Sequence, residues 1–154
     1  MIVFVPAYDE ATQSNLNLAK QIYFPADFVL LFGEQATREN LLICLTESMA
    51  PLFAMSHGQK DILHSQDSNI ALSIKDSVFF GQRSAYVFAC HTAVSLGQEV
   101  SQKRGIWWGY SDSVMCYIDE PSSCKLFVDI FKVIYENFAH AKTQEEVQKL
   151  GSSE

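Results

Sequence analysis

Two short apolar segments, each followed by residues able to do chemistry, constrain this chain more than any other feature. The first covers residues 52–55 and leads into His57 and Gly58; the second covers residues 86–89 and leads into Cys90. Neither segment contains a charged residue, which is typical of strands buried on both faces of a parallel sheet. Buried parallel strands need helices on both sides, so the chain is predicted to be an α/β protein with a mostly parallel central sheet.

The order of elements in the first third of the chain supports this prediction. Residues 2–7 and 28–32 are predicted to be strands, and helices are predicted at 11–23 and 37–49. Alternation of strands and helices favours parallel strands joined by right-handed crossovers.

The second half of the chain is predicted with less regularity. Alternating apolar residues at 70–74 indicate a half-exposed strand, and residues 78–81 are predicted to be either its hairpin partner or a short crossover element. A short helix at about 95–104, a strand at 106–110 and a last helix opening at Pro121 follow.

Chain length, composition and net charge limit the class of protein. A chain of 154 residues with 48% apolar and 19% charged residues is predicted to form one globular domain over residues 1–142, followed by a polar tail at 143–154. A net charge of −7 with scattered basic residues argues against nucleic-acid binding. No apolar run approaches the roughly 20 residues needed to cross a bilayer, and the N-terminus lacks the pattern of a signal peptide.

Cysteine usage indicates a reducing compartment. The four cysteines, at 44, 90, 116 and 124, form no Cys-x-x-Cys pair, so neither a disulfide framework nor a zinc site is expected. The cytoplasm is the predicted location. Cys44, Cys116 and Cys124 are interpreted as small core residues, and Cys90 could also be one.

The two strand ends predict a nucleophile and its base. Ligands of open α/β sheets bind beyond the carboxyl ends of the strands, and neighbouring strands lie about 4.8 Å apart. If the two segments pair, the His57 imidazole can take the proton of the Cys90 thiol. The N–H groups of Gly58 and Cys90 are candidate oxyanion donors, and the helix after Cys90 is expected to point its first N–H groups at the sulfur.

These motifs resemble those of the caspase-like cysteine peptidases (clan CD). Ser-His-Gly at 56–58 and Phe-Ala-Cys-His-Thr-Ala at 88–93 are closest to the CHAT branch of that group. The resemblance implies a caspase-like three-layer α/β/α sandwich and a cysteine endopeptidase that uses a His57/Cys90 dyad without metal or organic cofactor. It further implies a protein or peptide substrate, control by a partner protein, and a place in a bacterial signalling or defence system.

The chain departs from true caspases in two respects. Phe88 stands where caspases have Gln, and the separation of His57 and Cys90 is shorter than the roughly 50 residues of caspases. By resemblance, the pocket for the residue before the scissile bond lies between the loop after the first strand and the loop after the strand that follows Cys90. Asp9 and Asp112 in those loops predict a preference for Arg or Lys.

Two functions other than peptidase activity are compatible with a small α/β domain. A caspase-like fold without chemistry would serve as a binding or adaptor module. A nucleotide- or flavin-binding domain lacks support, because no Gly-x-Gly-x-x-Gly or Gly-x-x-x-x-Gly-Lys-Ser/Thr motif follows any strand.

Overall fold

Five parallel strands form the centre of the protein. The computed structural model describes residues 1–116 and 120–138, so the predicted boundary at 142 and the tail at 143–154 lie outside the described residues. In chain order the elements are β1 (Ile2–Val5), α1 (Glu10–Ala19), β2 (Val29–Phe32), α2 (Arg38–Glu47), β3 (Leu52–Met55), β4 (Ile62–His64), β5 (Ile70–Ser73), β6 (Ser84–Phe88), α3 (Leu96–Gln102), β7 (Ile106–Trp108) and α4 (Pro121–Phe138). The sheet order is β2-β1-β3-β6-β7, and each neighbouring pair is parallel.

Helices cover both faces of this sheet. One face packs against α1 and α4 through a cluster that includes Leu18, Phe53, Tyr86 and Phe131. The other face packs against α2, α3 and the β4–β5 hairpin through a cluster that includes Leu41, Leu63, Leu72, Leu96 and Val100. The predicted α/β class is therefore confirmed, and the architecture is a three-layer α/β/α sandwich.

The central strands are apolar throughout because both of their faces are covered. Every residue of β1 and β3 is buried, as the charge-free segments predicted. None of the helices in the described ranges is both long and apolar enough to cross a bilayer.

The structure decides between the two alternatives predicted for residues 78–81. β5 pairs antiparallel with β4, which precedes it in the chain, while Ile74–Phe80 forms a 3-10 helix. Residues 78–81 are thus part of a crossover element and do not form a hairpin strand. β4 escaped prediction because it has only three residues inside a polar stretch.

A buried arginine joins the C-terminal end of α2 to the start of β6. Arg83 is only 1% exposed, and its guanidinium donates to the backbone carbonyls of Leu45, Ser48, Ala50 and Phe79 at 2.6–3.0 Å. The last carbonyls of a helix have no partner within the helix, so Arg83 supplies donors to this end of α2, including one to the buried Leu45 carbonyl.

Candidate functional site

The register of the sheet brings the two predicted reactive residues to one edge. β3 and β6 are adjacent and parallel, with Met55 opposite Phe88. His57 and Cys90 each follow these paired residues by two positions, so both leave the sheet at its carboxyl edge. Both side chains line the same open cleft, whose volume is about 530 Å³.

The walls of this cleft come from four parts of the fold. They are the first turns of α1, the residues that follow β3, the end of β6 together with Cys90, and the segment at 114–116. The lining residues are Glu10, Ala11, Ser14, Asn15, Ser56, His57, Phe88, Cys90, Val114, Met115 and Cys116. Polar residues of α1 thus line the same cleft as His57 and Cys90. The sequence pattern gave no indication that α1 forms a wall of the site.

The His57 ring is held by an acidic partner. Its Nε2 lies 2.8 Å from Oδ2 of Asp9, and both side chains are 43% exposed. The Tyr8 ring packs against the imidazole with 5.9 Å between ring centroids. Burial, with a smaller contribution from the Asp9 charge, raises the pKa of Tyr8 to about 12, so the phenol stays neutral beside the histidine. With Nε2 engaged, Nδ1 is the ring nitrogen left for proton transfer.

Asp9 is also the N-cap of α1. Its Oδ1 accepts hydrogen bonds from the Thr12 backbone N–H at 2.9 Å and from the Thr12 hydroxyl at 2.7 Å. Partial burial would raise the pKa of Asp9, but the hydrogen bonds from Thr12 and His57 outweigh it and hold that pKa below its usual value. The carboxylate is therefore committed to neighbours within the protein, a role different from the predicted contact with substrate.

Cys90 lies two residues beyond the end of β6, and a backbone segment contacts its sulfur. The Val114 N–H donates to Sγ at 3.4 Å, and the Val114 carbonyl oxygen lies 3.6 Å from Sγ. The expectation that the first N–H groups of α3 point at the sulfur is wrong. At the start of α3, the Leu96 N–H donates to the Lys60 carbonyl and the Gly97 N–H to the Thr92 carbonyl.

The residue after Cys90 has an unusual backbone conformation. His91 has φ +59°, in the left-handed region that is uncommon for residues other than glycine. Its N–H donates to the Asp112 carbonyl, and its Nδ1 lies 3.2 Å from the Ser111 carbonyl oxygen. These contacts turn the His91 ring toward the segment at 111–113 and fix that segment beside the cleft.

Gly58 is required by close backbone packing. A Cβ atom there would lie 2.7 Å from the Cys90 carbonyl oxygen and 2.5 Å from Cγ2 of Thr92. Gly58 also faces Leu63 in an isolated antiparallel bridge. The hydrogen bonds of this bridge are made by the His57 carbonyl and the Gln59 N–H, so the pairing leaves the Gly58 N–H unused. The group that approaches Gly58 most closely through its backbone is therefore Cys90.

The Asp112 side chain lies outside the cleft that His57 and Cys90 line. Its side chain is exposed and accepts a hydrogen bond from the neighbouring Ser113 N–H at 2.7 Å. It is not one of the residues that line the cleft, whereas Glu10 is. Glu10 directly follows the predicted Asp9 in sequence, yet the first turn of α1 directs the two carboxylates to different neighbours.

Across residues 1–116 and 120–138, no three His, Cys, Asp or Glu side chains are grouped so that they could hold a metal ion. Comparison of the chain with models of protein families, with curated proteins and with solved structures finds no match.

Proposed function

We propose that this protein is a caspase-like cysteine endopeptidase in which Cys90 is the nucleophile and His57 the general base and acid. The observation that carries the proposal is the placement of both side chains in one open cleft at the carboxyl edge of adjacent parallel strands. That edge is where open α/β sheets bind their ligands. The sequence motifs at 56–58 and 88–93 support the same reading.

The reaction follows from the groups in the cleft. Cys90 Sγ, deprotonated by His57, attacks the scissile carbonyl carbon, and the resulting oxyanion takes the unused Gly58 N–H as a donor. The protonated His57 gives its proton to the leaving amine as the C–N bond breaks, leaving a thioester on Cys90. Water, deprotonated by His57, then hydrolyses the thioester and restores the thiol.

A basic residue before the scissile bond is the proposed preference. Glu10 supports it, because this exposed carboxylate lines the cleft. We expect peptides ending in Arg or Lys to be cleaved faster than those ending in Asp, and Glu10→Gln to reduce that ratio about tenfold. Ala11→Ser, an uncharged change on the same wall, is the control. Faster cleavage after Asp would contradict the preference.

Control by a partner protein is the second part of the proposal, with the cytoplasm and a bacterial signalling or defence system as its setting. Its support is the segment at 114–116, which lines the cleft and touches the nucleophile through the Val114 backbone. A substrate carbonyl must reach the same sulfur, so a partner that shifts this segment would raise activity. The same contact favours the alternative function, a binding or adaptor module with a silent thiol.

An electrophilic peptide probe separates the two functions. An acyloxymethyl ketone carrying Arg should label Cys90 of the wild type, and Cys90→Ala or His57→Ala should abolish the labelling. Cys116→Ala is the matched control, because Cys116 lines the same cleft and burial raises the pKa of its thiol. Labelling of Cys90 that is unaffected by His57→Ala, or no labelling of Cys90 at all, favours the adaptor.

A further inference from the structure

Asp9 shares its two carboxylate oxygens between a helix terminus and the candidate base. Oδ1 caps α1 through Thr12, while Oδ2 lies 2.8 Å from Nε2 of His57. We propose that Asp9 is a positioning residue that fixes the ring orientation and tautomer of His57, so that Nδ1 faces the cleft that holds Cys90. This inference rests on the proposed function and adds a third residue to the dyad.

The capping box makes Asp9 a rigid support. Thr12 donates to Oδ1 through both its N–H and its hydroxyl, and its hydroxyl oxygen accepts the Asp9 N–H at 3.0 Å. Thr12 is fully buried, so the first turn of α1 holds the carboxylate in one place. A hydrogen bond from Nε2–H to Oδ2 then leaves Nδ1 unprotonated, which is the form that accepts the thiol proton.

The charge of Asp9 has a second consequence for the site. Once His57 has taken the thiol proton, the adjacent carboxylate stabilises the imidazolium and with it the thiolate–imidazolium pair. The other titratable groups facing this ring or its cleft are Tyr8, neutral in the working range, Glu10, Cys90, and Cys116, the pKa of whose thiol is raised by burial. The hairpin contributes the backbone of His64. Asp9 makes the direct contact with the ring nitrogen.

Asp9→Asn distinguishes positioning from capping. Asparagine caps helices about as well as aspartate and keeps an oxygen for Thr12, but it has no negative charge. We expect Asp9→Asn to slow alkylation of Cys90 by iodoacetamide at pH 6.5 roughly tenfold and to move the rising limb of its pH profile to higher pH. Thr37→Ala, which removes the N-cap of α2 far from the cleft, should lower the unfolding temperature and leave the profile unchanged. A superimposable profile in Asp9→Asn would overturn the inference.

A spectroscopic measurement separates this inference from the proposed function. In the Cys90→Ala protein, which has no nucleophile, ¹⁵N shifts of His57 should show the Nε2-protonated tautomer, and Asp9→Asn should change the tautomer ratio at least threefold. A dominant Nδ1-protonated form, or a ratio unaffected by Asp9→Asn, refutes the positioning role whether or not the protein is a peptidase. If the tautomer result is as expected but His57→Ala leaves Cys90 alkylation unchanged, the peptidase proposal alone fails.

Discussion

At the scale of single residues, Gly58 determines how closely the two strand ends approach. Its α-carbon lies against the Cys90 backbone, and a Cβ atom would come within 2.7 Å of the Cys90 carbonyl oxygen. Contacts with a backbone atom cannot be relieved by rotating a side chain. The placement of His57 and Cys90 therefore depends on a neighbouring residue that has no side chain.

Replacing Gly58 by alanine should separate the strand ends. We expect Gly58→Ala to lower the free energy of unfolding by about 1–3 kcal/mol, as overpacking does, and to reduce probe labelling of Cys90 at least tenfold. Urea unfolding and labelling rates measure the two effects.

Gly81→Ala is the matched control for that substitution. A Cβ atom at Gly81 would meet its nearest neighbour, the Lys103 carbonyl oxygen, at an ordinary 3.5 Å. Its stability and labelling should match the wild type. Equal behaviour of the two alanine variants would show that the Gly58 contact is unimportant.

How much of the site could be predicted differs from residue to residue. His57 and Cys90 could be placed because each directly follows an apolar strand, and parallel strands end at one edge. The Asp9–His57 contact could not, because 48 residues separate the partners and the sequence shows only an acidic residue near a helix start. Glu10 was missed because only the direction of the first helical turn decides which carboxylate lines the cleft.

At the scale of elements, Asp76 ties the 3-10 helix to α2 and β5. Both of its carboxylate oxygens accept hydrogen bonds from Arg38 at 2.8 Å, and Oδ2 also accepts from the Ser73 N–H at 2.7 Å. Burial would raise the pKa of Asp76, but the bonds from Arg38 and Ser73 outweigh it and lower that pKa. Hence Asp76 stabilises the fold above the pKa of an unfolded aspartate, about 3.9, and this stabilisation is lost as pH falls through the lower folded value.

Asp76→Asn should therefore weaken the protein in a pH-dependent way. We expect its deficit in unfolding free energy to be largest at pH 7 and to shrink at pH 3, which lies below the pKa of an unfolded aspartate, because the unfolded wild-type chain then binds a proton at this carboxylate. Urea unfolding at the two pH values measures it, with the exposed Asp67→Asn as control. A deficit that is equal at both pH values would contradict the assignment.

Element prediction succeeded where apolar periodicity is long and failed where elements are short. The central strands and the helices appear in the predicted order. α1 ends at Ala19, earlier than the predicted residue 23, and β4 was missed because three residues carry too little pattern. The hairpin is stabilised by packing against the sheet, which no local sequence signal reports.

At the scale of the whole molecule, Arg83 connects a helix, a loop and the sheet from inside the core. Burial lowers its pKa, and its partners are backbone carbonyls from two segments, residues 45–50 and Phe79. Losing the guanidinium leaves the buried Leu45 carbonyl and the partly buried carbonyls of Ala50 and Phe79 without this donor.

Arg83→Met is thus expected to lower the unfolding free energy by about 3 kcal/mol and the unfolding temperature by roughly 10 °C. Lys75→Met, which removes an exposed cation, should change the temperature by no more than one or two degrees. Calorimetry of the two variants checks this prediction. Similar unfolding temperatures in both would show that the Arg83 network contributes little.

The pairing of His57 with Cys90 is tested most directly by the alkylation rate of individual cysteines. Iodoacetamide at pH 6.5, followed by mass spectrometry of the peptides, compares Cys90 with Cys44, whose pKa is raised by burial. We expect Cys90 to react at least tenfold faster than Cys44 and His57→Ala to remove the difference. Equal rates for Cys90 in the wild type and in His57→Ala would contradict it.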